Sequence, residues 1–320
     1  MPQVSVIIPV FNASKHLARC LGSVCNQTLP DLEIICVNDG STDDSLLILK
    51  AYAQKDKRIK LIDLKKNRGA AVARNLGIKA STGRFIGFVD ADDFIDLNFY
   101  EKLYNRAVAD KADVAKGTLR VYENAIGTST LAQWANLNPY IRRHKAYFLF
   151  TFTTAIFKSS LIKNNGVHFL EGLTYFEDPF FAIMASIFIK KISIVENTSY
   201  YYSDNPDSVT RKQDEITIKF PQAVAKGAKL ILKLLKKHKV EKRHYVIVCS
   251  YVMRQLTDWC ERFNNPNEIN IIAAKGLDYV LGHCLYRKEC LIEYFLFKKN
   301  MQHFQSARPA KDVLNRLRGS

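Results

Sequence analysis

The stretch that decides the fold is residues 67–93, which read NRGAAVARNLGIKASTGRFIGFVDADD. Within it, Ala70 to Ala80 has the apolar spacing of a helix, and Arg84 to Val89 is a short apolar run typical of a buried strand. The run ends in a cluster of aspartates. A helix followed by a buried strand is part of a βαβ unit, so this stretch predicts a parallel sheet flanked by helices.

The chain before this stretch repeats the same alternation. Short apolar and β-branched runs predict three earlier strands with helices between them. These elements are Val4 to Ile8, Lys15 to Cys25, Leu32 to Val37, Asp44 to Gln54 and Ile59 to Leu64. We therefore expect an α/β fold with a mostly parallel sheet, flanking helices and right-handed crossovers.

The later part of the chain changes character twice. Residues 98–215 mix helix and strand patterns, whereas the pattern from Ile216 onward is helical throughout. The mixed part is predicted to contain helices Phe99 to Ala109 and Pro179 to Lys190, and strands Val114 to Tyr122, Phe150 to Phe157 and Ile192 to Val195. These changes predict three parts with limits at 1–97, 98–215 and 216–320, the last a helical C-terminal extension.

The positive charge of the chain is concentrated in the last of these parts. The 320 residues have a formal net charge of +16, and residues 216–320 hold 20 Lys and Arg against eight Asp and Glu. Such a charge suits an anionic partner, which can be membrane lipid, nucleic acid or an acidic substrate.

One segment of the basic part has the pattern of an amphipathic helix. Four apolar residues share helical spacing, and five lysines fall on or near another face. They are Val224, Ala228, Ile231 and Leu235, with Lys226, Lys229, Lys233, Lys236 and Lys237. Two interpretations stay open: the helix binds a membrane surface, or its apolar face packs on the rest of the protein while the lysines stay in water.

Three features of the sequence predict the compartment. No apolar run reaches the roughly 20 residues of a transmembrane helix. The N-terminus MPQVSVIIPVF has neither the basic region nor the cleavage site of a signal peptide. The seven cysteines are odd in number and form no CxxC motif, which favours a reducing environment. We expect a cytoplasmic protein, either free or attached peripherally to the inner face of the cytoplasmic membrane.

Four carboxylates follow the fourth predicted strand within seven residues: Asp90, Asp92, Asp93 and Asp96. In open α/β sheets ligands bind beyond the carboxyl ends of the strands. Acids clustered there repel one another unless a cation neutralises them, and hard oxygen ligands select Mg²⁺, Mn²⁺ or Ca²⁺. Capping of the next helix by Asp96 or Asn98 is the alternative, but it accounts for one acid only.

Other polar loops are expected at the same edge of the sheet. The second predicted strand ends at Asn38 and Asp39, beside Pro9 and Phe11 at the end of the first. A third loop brings Arg74 toward the acids. Arginine facing carboxylates indicates a mixed site, with a metal on one side and phosphate on the other.

Taken together, the motifs resemble family 2 glycosyltransferases with the GT-A fold. The matching segments are VSVIIPVFN at 4–12, VNDGSTDDS at 37–45, the stretch at 67–93, FEDPFFA at 176–182 and YYYSDNPDSVT at 200–210. The likeness covers about the first two-thirds of the chain. It implies a nucleotide-sugar-binding half at 1–97 and an acceptor-binding half at 98–215.

The resemblance implies a role for each site residue on the donor side. A nucleotide-sugar donor and a divalent metal, Mn²⁺ or Mg²⁺, are expected, with Asp92 as the direct metal ligand and Asp90 as a ribose or water-mediated contact to the metal site. The remaining donor-site residues are Pro9, Phe11, Asn38 and Asp39 around the base, and Arg74 near the base or diphosphate. The expected donor is a UDP-sugar. Asn38 departs from the Asp that many members have, which weakens the case for uracil as the base, although its oxygen can still accept a hydrogen bond from a uracil N–H.

The resemblance also implies residues on the acceptor side. Asp178 would be the general base, although Asp178 and Pro179 also suit the start of a helix. On the donor side, the loop at 200–211 itself offers Ser208, Thr210 and Arg211, which would close over the diphosphate. The three tyrosines at 200–202 are more typical of strand packing than of binding.

The implied reaction is an inverting transfer to a saccharide or lipid-linked saccharide acceptor, of the bacterial surface-polysaccharide or lipopolysaccharide type. One alternative is a sugar nucleotidyltransferase, although the chain lacks a glycine-rich phosphate loop after the first strand. Another is a nucleic-acid-binding protein, motivated by the positive charge and opposed by the acidic loops at 38–44 and 90–96. We expect no nucleic-acid partner.

Overall fold

The computed structural model describes residues 1–132, 151–172 and 177–204, together with Gly227, 230–233 and 235–238. The chain divides into two compact units. The first consists of 1–172 and 184–206, and the second of 173–183 and 207–320. The predicted limits at residues 97 and 215 stay predictions.

Strands and helices alternate through the first unit as the apolar pattern predicts. The strands are β1 (Val4–Val10), β2 (Leu32–Asp39), β3 (Ile59–Leu64), β4 (Phe85–Phe88), β5 (Phe94–Ile95), β6 (Val114–Glu123), β7 (Thr128–Leu131), β8 (Ala155–Lys158) and β9 (Ile192–Ser203). The helices are α1 (Ser14–Cys25), α2 (Ser45–Lys55), α3 (Ala70–Ala80), α4 (Phe99–Ala109), α5 (Ser159–Asn164) and α6 (Glu177–Phe188). Residues 177–183 of α6 belong to the second unit.

Within the described residues, all nine strands belong to one sheet with the order β3-β2-β1-β4-β8-β6-β9-β5, and β7 pairs with β6. The first four strands are parallel, which confirms the predicted βαβ units. Beyond β4 the sheet is mixed, because β8 runs antiparallel to both β4 and β6 while β6 and β9 are parallel. The predicted α/β class is therefore correct, and the parallel pairing is concentrated in the N-terminal half.

The central parallel strands β1, β2 and β4 are buried on both faces, whereas β3 at the edge of the sheet is partly exposed. All eight residues of β2 are buried, as expected for a central strand covered by helices on each side. Helix α3 lies close against β1 because Gly77 has no side chain: a Cβ there would be 2.3 Å from Cγ2 of Ile7. This close packing fixes the start of α3 beside the carboxyl ends of β1 and β2.

Two predicted strands differ from the structure. The described part of the predicted strand 150–157 starts with a 3-10 turn at Phe152–Thr154, because the amide and hydroxyl of Thr154 both donate to the Thr151 carbonyl. The strand predicted to end at Val195 instead continues to Ser203, because its tyrosine-rich end pairs with β6.

Little of the basic C-terminal part lies within the described residues. Ile231, Leu232 and Leu235 are buried, whereas Lys233, Lys236 and Lys237 are exposed. At Gly227 a Cβ would fall 2.0 Å from the ring of Phe180, so the helix backbone lies against α6 within the second unit. The apolar residues of this segment that the structure describes therefore pack on protein. Val224, Lys226, Ala228 and Lys229 lie outside the described residues. None of the helices in the described ranges is long and apolar enough to cross a bilayer.

Candidate active site

The predicted donor-site residues meet at one edge of the sheet. Strand β1 lies between β2 and β4, and Val10 is in register with Asn38. Pro9 pairs with Val37 inside the sheet, and the next loop presents Phe11 with 47% of its surface exposed. The carboxyl ends of the three parallel strands therefore carry their polar residues to a common edge.

Asp39 joins the end of β2 to the loop before α3. It is 2% exposed, and its two oxygens accept hydrogen bonds of 2.8 Å from the backbone N–H groups of Arg68 and Gly69. Gly40 has φ +67°, and a Cβ there would lie 2.5 Å from the carbonyl carbon of Lys66. Glycine is required at this position, since the left-handed conformation and the close backbone both exclude a side chain.

Asn38 is held by a residue that the sequence did not single out. Its Nδ2 donates to Oδ1 of Asp63 at 2.7 Å, and its Oδ1 accepts from the backbone N–H of Ser41 at 3.3 Å. Asp63 is opposite Asn38 in the register of β2 and β3. The only signal in the sequence is an acid near the carboxyl end of the third predicted strand, where parallel register brings it to the same edge.

Arg74 and Asp90 form the ion pair at the centre of this edge. Arg74 is 5% exposed, and its Nη2 donates to Oδ1 of Asp90 at 2.8 Å. The guanidinium carbon lies 5.1 Å from the ring centre of Phe152 and 5.2 Å from that of Phe169, within the range of cation–π contacts. The predicted meeting of an arginine and the acid cluster is present, and the arginine is fixed by aromatic rings.

The four aspartates divide into two pairs. Asp93 is buried and accepts from Oη of Tyr200 at 2.6 Å and from the Ser203 amide at 2.8 Å. Asp96 accepts from the Ser199 amide at 2.8 Å and from Oη of Tyr201 at 3.0 Å. Two of the four acids, Asp93 and Asp96, therefore anchor β9.

Capping does not explain these acids either. Asn98 occupies the N-cap of α4 without a side-chain cap bond, and the Phe99 amide bonds to the backbone carbonyl of Asp96. Burial raises the pKa of Asp93, and the neighbouring carboxylates of Asp92 and Asp90 raise it further. Negative charge is thus concentrated around Asp90 and Asp92.

The donor set fits a cation that is shared with a phosphate group. No cluster of three or more His, Cys, Asp or Glu side chains suited to a metal occurs in the described part of the chain. Asp90 and Asp92 remain as two carboxylates beyond the end of β4, since Asp93 and Asp96 bind β9. Mg²⁺ is commonly bound by one or two protein carboxylates together with substrate phosphates.

The acceptor-side prediction concerns the second unit. Helix α6 begins at Glu177, so Asp178 and Pro179 are its second and third residues, and Asp178 is not its N-cap. Asp178 is partly buried in the first helical turn. Arg211, Ser208 and Thr210 lie outside the described residues, so their predicted contact with the diphosphate stays a prediction.

The fold and this arrangement define an α/β domain with a ligand site at the carboxyl ends of its parallel strands. Residues 5–167 match the family model described as Glycosyl transferase family 2. The chain therefore belongs to glycosyl transferase family 2, a family of transferases, as its motifs predict.

Relatives of known sequence agree with this assignment. The chain is 36% identical over 204 residues to the poly(ribitol-phosphate) beta-glucosyltransferase of Bacillus spizizenii, covering 62% of this chain and 32% of that protein. It is 30% identical over 251 residues to the uncharacterized glycosyltransferase YibD of Escherichia coli, covering 72% and 71%. The chain thus spans about a third of the first relative and 63% of the Bacillus subtilis glycosyltransferase EpsJ.

Solved structures share the fold. Residues 1–349 of Staphylococcus aureus TarS in complex with UDP-GlcNAc superpose with a TM-score of 0.69 and 20% identity, covering 96% of this chain and 93% of that one. At this identity the likeness establishes the GT-A type architecture alone, and it confirms the predicted fold.

Proposed function

We propose that this chain transfers a sugar from a UDP-sugar to a hydroxyl group of a saccharide or lipid-linked saccharide, with inversion at the anomeric carbon. The observation that carries the proposal is the ion pair between buried Arg74 and partly exposed Asp90, beside Asp92 at the carboxyl end of β4. Three findings support the choice of substrates. The chain belongs to glycosyl transferase family 2, TarS has the same fold and binds UDP-GlcNAc, and one relative is a poly(ribitol-phosphate) beta-glucosyltransferase. The product would belong to a bacterial surface polysaccharide, which includes lipopolysaccharide.

On the donor side, each side chain has a chemical task. The exposed ring of Phe11 offers a stacking surface for the base, next to the polar group formed by Asn38 and Asp63. Asp39 fixes the loop that leads to Arg74. Arg74 carries positive charge to the position where the leaving diphosphate becomes more negative.

Asp92 and Asp90 are the residues that would hold Mn²⁺ or Mg²⁺. When bound, the cation would neutralise the charge that develops on the diphosphate. Asp93 is buried and accepts hydrogen bonds from β9. Within residues 90–93, Asp90 and Asp92 are therefore the carboxylates that we assign to the cation.

On the acceptor side, Asp178 is the proposed general base. Its carboxylate takes the proton of the acceptor hydroxyl, the acceptor oxygen forms a bond to C1 of the sugar, and the bond from C1 to the diphosphate oxygen breaks. UDP leaves on the opposite face, which inverts the anomeric carbon. Asp178 lies in the first turn of α6, and helix N-termini favour negative charge, so a carboxylate suits this position.

A donor panel tests the proposal. The full chain would be incubated with UDP-, GDP-, ADP- and CMP-linked sugars in Mn²⁺, and release of free nucleotide measured with and without saccharide acceptors. UDP release from at least one UDP-sugar is expected. In a parallel incubation with a nucleoside triphosphate and a sugar 1-phosphate, formation of a nucleotide sugar with release of pyrophosphate would instead identify a sugar nucleotidyltransferase. Consumption of none of the nucleotide-sugar donors would contradict the proposal.

We also propose peripheral attachment to the inner face of the cytoplasmic membrane through the basic residues of 216–320. The support is their charge and the exposure of Lys233, Lys236 and Lys237. Each lysine near an anionic surface contributes about 1 kcal/mol. Flotation with anionic and neutral liposomes at low salt should show binding to the anionic ones only. Absence of binding to the anionic liposomes would reject attachment. Steeply salt-dependent binding to DNA without nucleotide-sugar consumption would instead favour a nucleic-acid-binding protein.

A further inference from the structure

The turn that carries Asp90 and Asp92 lies between two strands and is outside the sheet ladder. Strand β4 ends at Phe88 and β5 begins at Phe94. Residues 90–93, here called the aspartate turn, close on themselves through a 3.0 Å bond from the Asp93 amide to the Asp90 carbonyl. Because this loop lacks the regular bonds of a strand, contacts with other elements decide where its carboxylates are held.

Tyr200 on β9 supplies two of these contacts with one hydroxyl. Its Oη accepts the backbone N–H of Asp90 at 3.0 Å and donates to Oδ2 of Asp93 at 2.6 Å. The side chain is 1% exposed, so water does not replace either bond. The Ser203 amide then bonds the second oxygen of Asp93 at 2.8 Å. The turn is thus joined at both ends to β9.

Arg19 on α1 holds the middle of the aspartate turn. Its Nη2 donates to the backbone carbonyl of Asp92 at 3.1 Å and to Oγ of Ser203 at 2.7 Å. Its Nη1 donates to Oδ1 of Asn124 at 2.8 Å, and the guanidinium lies 4.7 Å from the ring centre of Phe94. A planar cation fixed from several sides orients the peptide that bears Asp92.

We propose, on the basis of the donor and cation site proposed above, that Tyr200 and Arg19 are positioning residues that hold the aspartate turn for a cation bound together with the donor diphosphate. Neither side chain needs to touch the donor. Residues that orient metal ligands typically change metal affinity by about 10- to 100-fold when they are replaced. Tyr200 and Ser203, the first and last residues of the motif YYYS at the end of β9, both contribute to this role.

The chain offers a matched control for Tyr200. Tyr201, the next residue on β9, donates its hydroxyl to Asp96 at 3.0 Å, and its ring stacks on Phe94. Tyr200→Phe and Tyr201→Phe each remove one hydroxyl that bonds an aspartate of the same loop region. Only Tyr200→Phe removes a bond to the aspartate turn.

The test is calorimetric titration of UDP into the full chain, once in saturating Mn²⁺ and once in EDTA. The gain in UDP affinity on adding Mn²⁺ should fall about tenfold or more in Tyr200→Phe and stay unchanged in Tyr201→Phe. Affinity in EDTA should be equal in all three proteins. A folded Tyr200→Phe with the wild-type gain would overturn the positioning role.

Two further outcomes separate this role from the proposed function. Wild-type protein that binds no UDP in Mn²⁺ would overturn the UDP-sugar function and the positioning role with it. If Tyr200→Phe loses its circular dichroism signal, Arg19→Lys takes its place, since lysine cannot reproduce the forked contacts of Arg19. A similar loss of the Mn²⁺-dependent gain in UDP affinity in Arg19→Lys would support the positioning role. An unchanged gain in that variant would overturn it.

Discussion

At the scale of single residues, Arg74 connects two parts of the first unit. The guanidinium pairs with Asp90, while the rings of Phe152 and Phe169 enclose it. The next residue, Asn75, donates to the Phe169 carbonyl at 2.9 Å and accepts from the Phe169 amide at 2.8 Å. One turn of α3 therefore fixes both an acid of the candidate donor site and the segment that precedes α6.

The first prediction concerns Asp92. Asp92→Ala should reduce transfer to background, because the proposed cation site loses one of its two carboxylates. The fold should persist, since the bonds of Asp93 and Asp96 to β9 remain. Activity and thermal unfolding check this, with Asp31→Ala, an exposed acid before β2, as control. Undiminished wild-type activity in EDTA would show that no cation is needed.

The second prediction concerns Asp178. Asp178→Asn keeps the size of the side chain and should lower turnover about 10²- to 10⁴-fold, the usual contribution of a general base. Binding of UDP should be unchanged. Glu177→Gln, one residue earlier in the same helical turn, is the control and should retain activity. Loss of activity in Glu177→Gln alone would move the base to that residue.

At the scale of elements, Asp43 joins the N-termini of two helices. Its Oδ2 accepts from the Ser14 amide at 2.9 Å and its Oδ1 from the Ser45 amide at 3.0 Å, at the first residues of α1 and α2. Burial alone would raise the pKa of Asp43, but hydrogen bonds from Ser45 and Ser14 lower it from 3.8 to about 2. The ionised carboxylate is therefore the form that stabilises the folded state.

The third prediction follows from the two hydrogen bonds that Asp43 accepts from the first residues of α1 and α2. Asp43→Ala should lower the free energy of unfolding by about 1 kcal/mol at neutral pH, as for other lost helix caps. Because the folded pKa is below the unfolded one, the contribution is complete above about pH 4 and is lost as the pH falls toward 2. Urea unfolding at several pH values checks this. Asp44→Ala, whose side chain makes no cap bond, should have little effect at any pH.

The fourth prediction compares two glycines. Gly40→Ala should destabilise the protein by more than about 1 kcal/mol, because φ is +67° and the Cβ would collide with the backbone of Lys66. Gly22→Ala within α1 meets no heavy atom within 4 Å and should stabilise by about 0.5–1 kcal/mol. Thermal unfolding measures both. Equal effects of the two substitutions would contradict the tight approach at Gly40.

At the scale of the whole molecule, the sequence predicts the parallel half of the sheet well, because local apolar runs and helical spacing carry that information. The sequence also predicts that Asn38, Asp39, Arg74 and Asp90 lie at one edge of the sheet, because parallel strands end at the same edge. The division of the aspartates did not follow, because it depends on Tyr200 more than one hundred residues later in the chain. Such long-range bonds leave no periodic signal.

The proposed function depends on the donor binding at the carboxyl edge of the parallel strands. Hydrogen–deuterium exchange of the full chain, with and without UDP and Mn²⁺, tests this placement. Protection on binding is expected in peptides covering 37–41, 67–75 and 88–93, at the carboxyl edge of the parallel strands. Peptides covering 30–33 and 82–85, at the opposite edge, should exchange as before. Protection confined to other segments, or none at saturating UDP and Mn²⁺, would contradict the claim.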